Sequence, residues 1–427
     1  KEVLVGTPVK EGHVNYMLMY DMLTGIRISV SRCTAKPERE LMGLDFKAAH
    51  KLAFDVTGNE LTPSSKYDFK FKDYAPWVFR LIRQVYHVDP ADYLLSLTGK
   101  YVLSELGSPG KSGSFFYYSQ DYRFIIKTIH HSEHKFMMHI LQRYYEHIKN
   151  NRETLLCRIF GLHRVKLPGN RKIHFVVMGN VFPSGKDIHE SYDLKGSLVG
   201  RYIDAAEEEK NPRVTLKDMN WVGRQRKLQL GPQKRAAFVD QLEKDVSFLV
   251  SQKIMDYSLL IGCHDMSRGN RDNIRDNTLA VFEPDPKSLT RGPSTRAKAK
   301  TSAKTKAGPA GKRGSKAQAM KMILAESEAV ALGPSNSILP EASPPERQNC
   351  LFYSDHGGFQ ATDPLDRPLN EIYYIGIIDI FTKYNYIKKG EHVLKSLSGK
   401  RKLISSVHPI LYGARFLAFM KAAVRGW

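Results

Sequence analysis

Two acids and two lysines stand where the hydrophobic pattern of the chain breaks off, which is where a fold can hand a charge to a ligand. Asp379 closes the apolar run Tyr373-Tyr374-Ile375-Gly376-Ile377-Ile378. An acid that ends a buried strand beside a polar, lysine-rich segment suits a divalent metal, although cap and turn acids are also frequent there. Asp256 interrupts the run Ile254-Met255-Asp256-Tyr257-Ser258-Leu259-Leu260. Burying an unpaired carboxylate is costly, so Asp256 is either a turn residue with satisfied hydrogen bonds or one held for catalysis. Lys127 ends the strand-like Phe124-Ile125-Ile126, and Lys195 lies in the turn Asp193-Leu194-Lys195-Gly196-Ser197, where a solvated charge would look the same.

One strand before Lys127 comes the turn Gly107-Ser108-Pro109-Gly110-Lys111-Ser112-Gly113-Ser114. Small residues let backbone N–H groups approach an anion, and a plain hairpin turn would use the same residues. A Walker A loop is excluded, because Glu105 stands where that pattern needs Gly. A glycine turn followed by a strand-borne lysine is the kinase arrangement for gripping nucleotide phosphates, with a helical glutamate as the lysine's partner. Glu133 is placed for that role or for a solvent-facing one.

The elements that must position these groups can be read from periodicity. Tyr16, Met19, Tyr20 and Leu23 predict a helix that runs into a strand within 12–33. Trp77, Val78, Leu81, Ile82 and Val85 predict a second helix, and Asp89-Pro90 starts a third with a cap residue followed by Pro. Residues 101–127 read as strand, turn, strand, strand. An amphipathic helix follows over 132–148, then strands over 157–162 and 173–182. A helix over 233–253, carrying Phe238, Leu242, Val246 and Leu249, feeds into Asp256, and a last helix covers 409–423. Residues 285–348 hold too few apolar side chains to fold and read as a disordered basic insertion.

At 427 residues and 42% hydrophobic, the chain is long and apolar enough for two lobes with cores of their own. The net charge of +21 calls for an anionic partner, which charge alone leaves open among nucleic acid, an acidic membrane surface and a phosphate-rich substrate. Eleven lysines and arginines and no Asp or Glu lie within 287–321, about half of that excess. Cys33, Cys157, Cys263 and Cys350 form no Cys-x-x-Cys pair, so neither a disulfide framework nor a cysteine zinc site is expected, and a reducing compartment is. No run reaches the roughly 18 apolar residues of a spanning helix, so membrane contact is expected to be peripheral. The chain opens on Lys rather than Met, as a piece of a longer protein would.

Four blocks taken together carry a resemblance. Phe71-Lys72-Asp73-Tyr74-Ala75-Pro76-Trp77-Val78-Phe79-Arg80, Tyr192-Asp193-Leu194-Lys195-Gly196-Ser197, Met255-Asp256-Tyr257-Ser258-Leu259-Leu260 and Ile377-Ile378-Asp379 resemble, in order, the signature blocks of the phosphatidylinositol phosphate kinases. The similarity runs over 12–420, interrupted by the basic insertion. It implies a two-lobed, kinase-like α+β fold with antiparallel sheets and flanking helices. Residues 1–178 would be the amino-terminal lobe and 179–427 the carboxy-terminal lobe. Gly110, Lys111, Ser112, Gly113 and Ser114 would cover the phosphates of ATP, with Lys127 and Lys195 contacting them. Val177, Met178 and Asn180 would lie beside adenine, Asp256 would be the catalytic carboxylate and Asp379 the ligand of magnesium, Mg2+.

Lys388-Lys389-Gly390-Glu391-His392 resembles the type I form of the specificity loop, in which Glu391 implies phosphatidylinositol 4-phosphate as substrate and the 5-hydroxyl as the point of transfer. Lys388 and Lys389 would meet lipid phosphates at an anionic membrane surface. The resemblance further implies a peripheral enzyme of the cytoplasm and the cytoplasmic face of the plasma membrane, a possible homodimer and no nucleic-acid partner. The alternatives are a phosphatidylinositol 5-phosphate 4-kinase and a catalytically silent basic membrane scaffold. The intact set of Lys127, Asp256 and Asp379 argues against the scaffold.

Overall fold

The computed structural model describes residues 7–9, 13, 15–58, 62–99, 103–107, 114–183, 185–272, 358–384 and 408–426. In chain order the elements are β1 (Thr7–Val9), α1 (Tyr16–Thr34), β2 (Ala49–Phe54), β3 (Phe69–Tyr74), α2 (Pro76–Val85), α3 (Pro90–Thr98), β4 (Leu103–Gly107), β5 (Phe115–Tyr118), β6 (Phe124–Ile129), α4 (His131–Asn150), β7 (Ile159–Lys166) and β8 (Lys172–Gly179). Then come β9 (Glu190–Leu194), α5 (Ala205–Lys210), β10 (Leu216–Lys217), α6 (Asp218–Gly223), α7 (Pro232–Ser251), β11 (Ser258–Asp265), β12 (Phe359–Thr362), β13 (Pro368–Ile378) and α8 (Pro409–Ala423). Residues 1–283 and 350–427 form one compact unit, and the expected insertion lies outside the described residues.

The first eight strands make one antiparallel sheet in the order β1-β4-β5-β6-β8-β7-β3-β2. The rest make a five-stranded sheet, β10-β9-β11-β13-β12, antiparallel apart from the short β9–β10 pair. The α+β class is therefore as expected. Helix α3 starts as its sequence dictates, since Asp89 Oδ1 accepts from Ala91 N at 2.8 Å and Asp92 N at 2.9 Å.

The strand expected after the first helix is not there. Ile26, Ile28 and Val30 alternate like a strand, but Met19, Met22, Leu23, Ile26, Val30 and Cys33 are fully buried at helical spacing while Ile28 is only partly so, and α1 continues to Thr34. Packing against the sheet overrides the local alternation. Strand β2 lies in a stretch that showed little pattern, and it pairs in full register with β3 from Ala49↔Tyr74 to Phe54↔Phe69.

The segment before β7 joins the two sheets. Cys157 N donates to Ile377 O at 2.8 Å, and Ile377 N donates to Leu155 O at 2.6 Å, so β13 of the small sheet is bonded to the chain entering the large one. Asp245 of α7, fully buried, fixes that segment. Its carboxylate accepts from Leu155 N at 2.7 Å, Thr154 Oγ1 at 2.6 Å and Gln241 Nε2 at 2.9 Å, and lies 2.6 Å from His147 Nε2.

Candidate active site

Three strands of the small sheet bring their functional residues to one edge. Register pairs Leu259 with Leu194 and Ser258 with Ile378. Lys195, which follows β9, Asp256, which precedes β11, and Asp379, which follows β13, therefore emerge together. The segments around the two acids are laced to each other, with Met255 N donating to Thr382 O and Tyr384 N to Lys253 O, both at 3.0 Å. Both acids adopt the left-handed region, φ +62° at Asp256 and +63° at Asp379. Such a backbone is unfavourable for a residue with a Cβ and persists where its surroundings impose it, commonly at functional sites.

Lys127 reaches this edge from the large sheet. On β6 it stands opposite Phe116 of β5 and Val176 of β8. Its Nζ lies 2.8 Å from Asp379 Oδ1, 5.2 Å from the Phe116 ring and 5.9 Å from the Phe381 ring. Ring faces stabilise a cation held away from water. Burial would push the Asp379 carboxyl up, but the charge and hydrogen bond of Lys127, with the charge of Lys195, outweigh it and hold the group below the usual carboxylate range. The side chain is still 47% exposed, so an ionised oxygen donor faces solvent. Such a donor fits a hard cation such as magnesium.

Lys195 Nζ donates to the backbone oxygen of Asp256 at 2.8 Å. Its turn is held from below by a residue the sequence did not single out. Asp218, fully buried, accepts through Oδ1 from Lys195 N at 2.9 Å, Gly196 N at 2.7 Å and Ser197 N at 3.3 Å. Its Oδ2 accepts from Arg201 Nε at 2.8 Å, and Arg201 also reaches Asp193 Oδ2 at 3.2 Å. Gly196 has φ +65°, and a Cβ there would stand 3.2 Å from the Phe416 backbone, so the tight turn requires glycine.

Along β8 the expected residues divide between two faces. Ile125 opposes Met178 and Lys127 opposes Val176, so Met178 shares the face of Lys127. Val177 opposes Ile126 on the other, fully buried face and offers the site only its backbone. Asn180 Nδ2 donates to Tyr122 O at 2.9 Å and its Oδ1 accepts from Phe182 N at 3.2 Å, fixing the chain as it leaves the sheet. Ser114 is buried at the start of β5. Gly110, Lys111, Ser112, Gly113, Lys388, Lys389 and Glu391 lie outside the described residues.

Glu133 is not the partner of Lys127. Its Oε2 accepts from His130 N at 2.7 Å and completes a capping box on α4, so the carboxylate that meets the lysine is Asp379. Asp218 and Arg201 gave no signal of their own in the sequence, because an acid opening a short helix looks like any cap. Asp245 did give one: it falls three residues after Leu242 and four before Leu249, on the apolar face of α7. A cavity of about 840 Å³ beside Arg39, Phe46, Leu81 and Tyr145 is lined by none of these site residues.

Comparison with known proteins points the same way. The family model described as phosphatidylinositol-4-phosphate 5-kinase matches residues 97–423. A phosphatidylinositol 4-phosphate 5-kinase of Schizosaccharomyces pombe is 54% identical over 99% of this chain and 55% of its own length. A probable phosphatidylinositol phosphate kinase of Dictyostelium discoideum is 36% identical over 99% of this chain and 60% of its own length. Phosphatidylinositol 4-phosphate 5-kinase 8 of Arabidopsis thaliana is 36% identical over 98% and 56%. The chain thus spans little more than half the length of these curated relatives.

Proposed function

Because the chain belongs to the phosphatidylinositol-4-phosphate 5-kinase family, we propose that it transfers the terminal phosphate of ATP to the 5-hydroxyl of phosphatidylinositol 4-phosphate. The product is phosphatidylinositol 4,5-bisphosphate. The observation that carries this reading is the meeting of Lys127 with Asp379 at the edge where Lys195 bonds to the Asp256 backbone.

Phosphoryl transfer asks a protein mainly for positioning and for charge where charge develops. Lys127 and Lys195 supply two ammonium groups for the phosphate oxygens. Asp256 orients the inositol hydroxyl and takes its proton as the hydroxyl oxygen bonds to phosphorus and the bond to the bridging oxygen of ADP breaks. Asp379 provides the oxygen ligand for magnesium, which when bound neutralises phosphate charge. In this reading residues 1–178 hold the nucleotide, with Met178 and the backbone of 177–180 beside the base and 110–114 over the phosphates.

Lys388, Lys389 and Glu391 choose the lipid, and the net charge of +21 favours an anionic leaflet. No helix of the described residues is long and apolar enough to cross a membrane. The reading places the protein peripherally at the cytoplasmic face of the plasma membrane, as a homodimer. Supplying ATP, magnesium and vesicles carrying each phosphatidylinositol monophosphate isomer tests it. Turnover on the 4-phosphate is expected, and Glu391→Ala is expected to shift the preferred isomer. No turnover on the 4-phosphate overturns the assignment.

A further inference from the structure

We propose that His131, His134 and His174 form a binding site for a divalent transition-metal ion of the zinc class. His131 and His134 occupy the first turn of α4, three residues apart and so on one face of the helix. His174 stands on β8, opposite Ile129 of β6 and Arg164 of β7. Each imidazole brings one nitrogen within 4.8 Å of the other two, and among the described residues this is the one such group of metal-binding side chains. The His134 and His174 rings lie 4.6 Å apart between centroids, and the His131 and His174 rings 4.9 Å apart.

Burial sharpens the case. His134 is 7% exposed and His174 5% exposed. Both nitrogens of His134 and Nε2 of His174 find no protein hydrogen-bond partner. A buried polar nitrogen normally has a partner, and one ion would supply it to one nitrogen of His134 and to Nε2 of His174. His131 is exposed and leaves a route for the ion.

The surroundings select the kind of ion. No carboxylate belongs to the group, while Arg164, Lys72, Lys135 and Lys172 all act on these rings with positive charge. Magnesium and calcium depend on anionic oxygens, which this group does not offer. A zinc-class ion bonds strongly to neutral imidazole and can be held by three of them with water in the fourth place. Metal–nitrogen bonds of about 2.0 Å set the nitrogens roughly 3.4 Å apart. The nitrogens, all within 4.8 Å of one another, would therefore close by up to about 1.4 Å. The ion would tie the start of α4 to β8 beside β6, two positions along that strand from Lys127.

Titrating the metal-stripped protein with Zn2+ against a chromophoric chelator tests the proposal, with the absorption of bound Co2+ reporting nitrogen ligation. One equivalent should bind to the unaltered protein and raise its melting temperature. His131→Ala, an exposed position whose loss leaves the fold intact, should weaken binding at least about tenfold, and His174→Gln should do the same. Absence of a one-equivalent complex, or the same Kd in His131→Ala as in the unaltered protein, overturns the site in favour of two buried histidines hydrated by water.

Discussion

Lys127 Nζ and Asp379 Oδ1 meet at 2.8 Å although 252 residues separate them in the chain. One belongs to the eight-stranded sheet and the other follows the last strand pairing of the five-stranded sheet, so the contact exists only when both sheets are correctly joined. Replacing Lys127 by Ala should lower kcat/KM for ATP roughly a hundredfold to a thousandfold, as loss of one preorganised charge at a developing charge does. It also removes the main influence holding the Asp379 carboxyl down, so the acid limb of the pH profile should move to higher pH. Steady-state rates over pH 4 to 8 read both effects.

Asp218 should behave as a positioning residue, because it touches the turn of Lys195 rather than any reacting atom. Asp218→Ala strips three backbone N–H groups of their acceptor and leaves Arg201, whose side chain is 14% exposed, short of a partner. Breaking a buried charged pair from one side costs about 3 kcal/mol. Asp218→Asn should cost less, since its amide oxygen can still accept from the turn. Urea denaturation measures stability, and a rise in the KM for ATP that matches Lys195→Ala would mark the positioning role.

Asp21 predicts how stability depends on pH. Burial raises its carboxyl to about 6, against the opposing hydrogen bond from Tyr67 Oη at 2.7 Å. The folded state therefore binds this proton more tightly than the unfolded chain. Its contribution is complete below about pH 4 and is lost as pH rises through about 6. Asp21→Asn should flatten the curve between those values and gain about 3 kcal/mol at pH 7.5. Thermal melts across that range would check it, and a variant curve parallel to the original would contradict it.

Much of this site was legible because its residues interrupt strong patterns. Asp256 and Asp379 break long apolar runs, and Lys127, expected to end its strand, interrupts an apolar one that continues to Ile129. Asp89 announced the start of α3 through its cap chemistry. What stayed hidden is non-local. Neither Asp218 nor Arg201 differs in sequence from a surface charge, and only the fold shows that one carboxylate collects three amides and a guanidinium. Glu133 shows the opposite failure, because a local capping box claimed the glutamate that a kinase-like pattern suggested for Lys127. The continuation of α1 through Val30 was settled by which side chains the sheet buries, which alternation alone does not encode.

Phosphate transfer to vesicles of phosphatidylinositol 4-phosphate by Lys127→Ala, Asp256→Asn and the double variant tests the shared site most directly. If amine and acid act on one reacting phosphate, each single change should lower turnover at least about a hundredfold, and the pair together should cost little more than the worse of the two. Turnover close to that of the unaltered protein in either single variant would contradict the account.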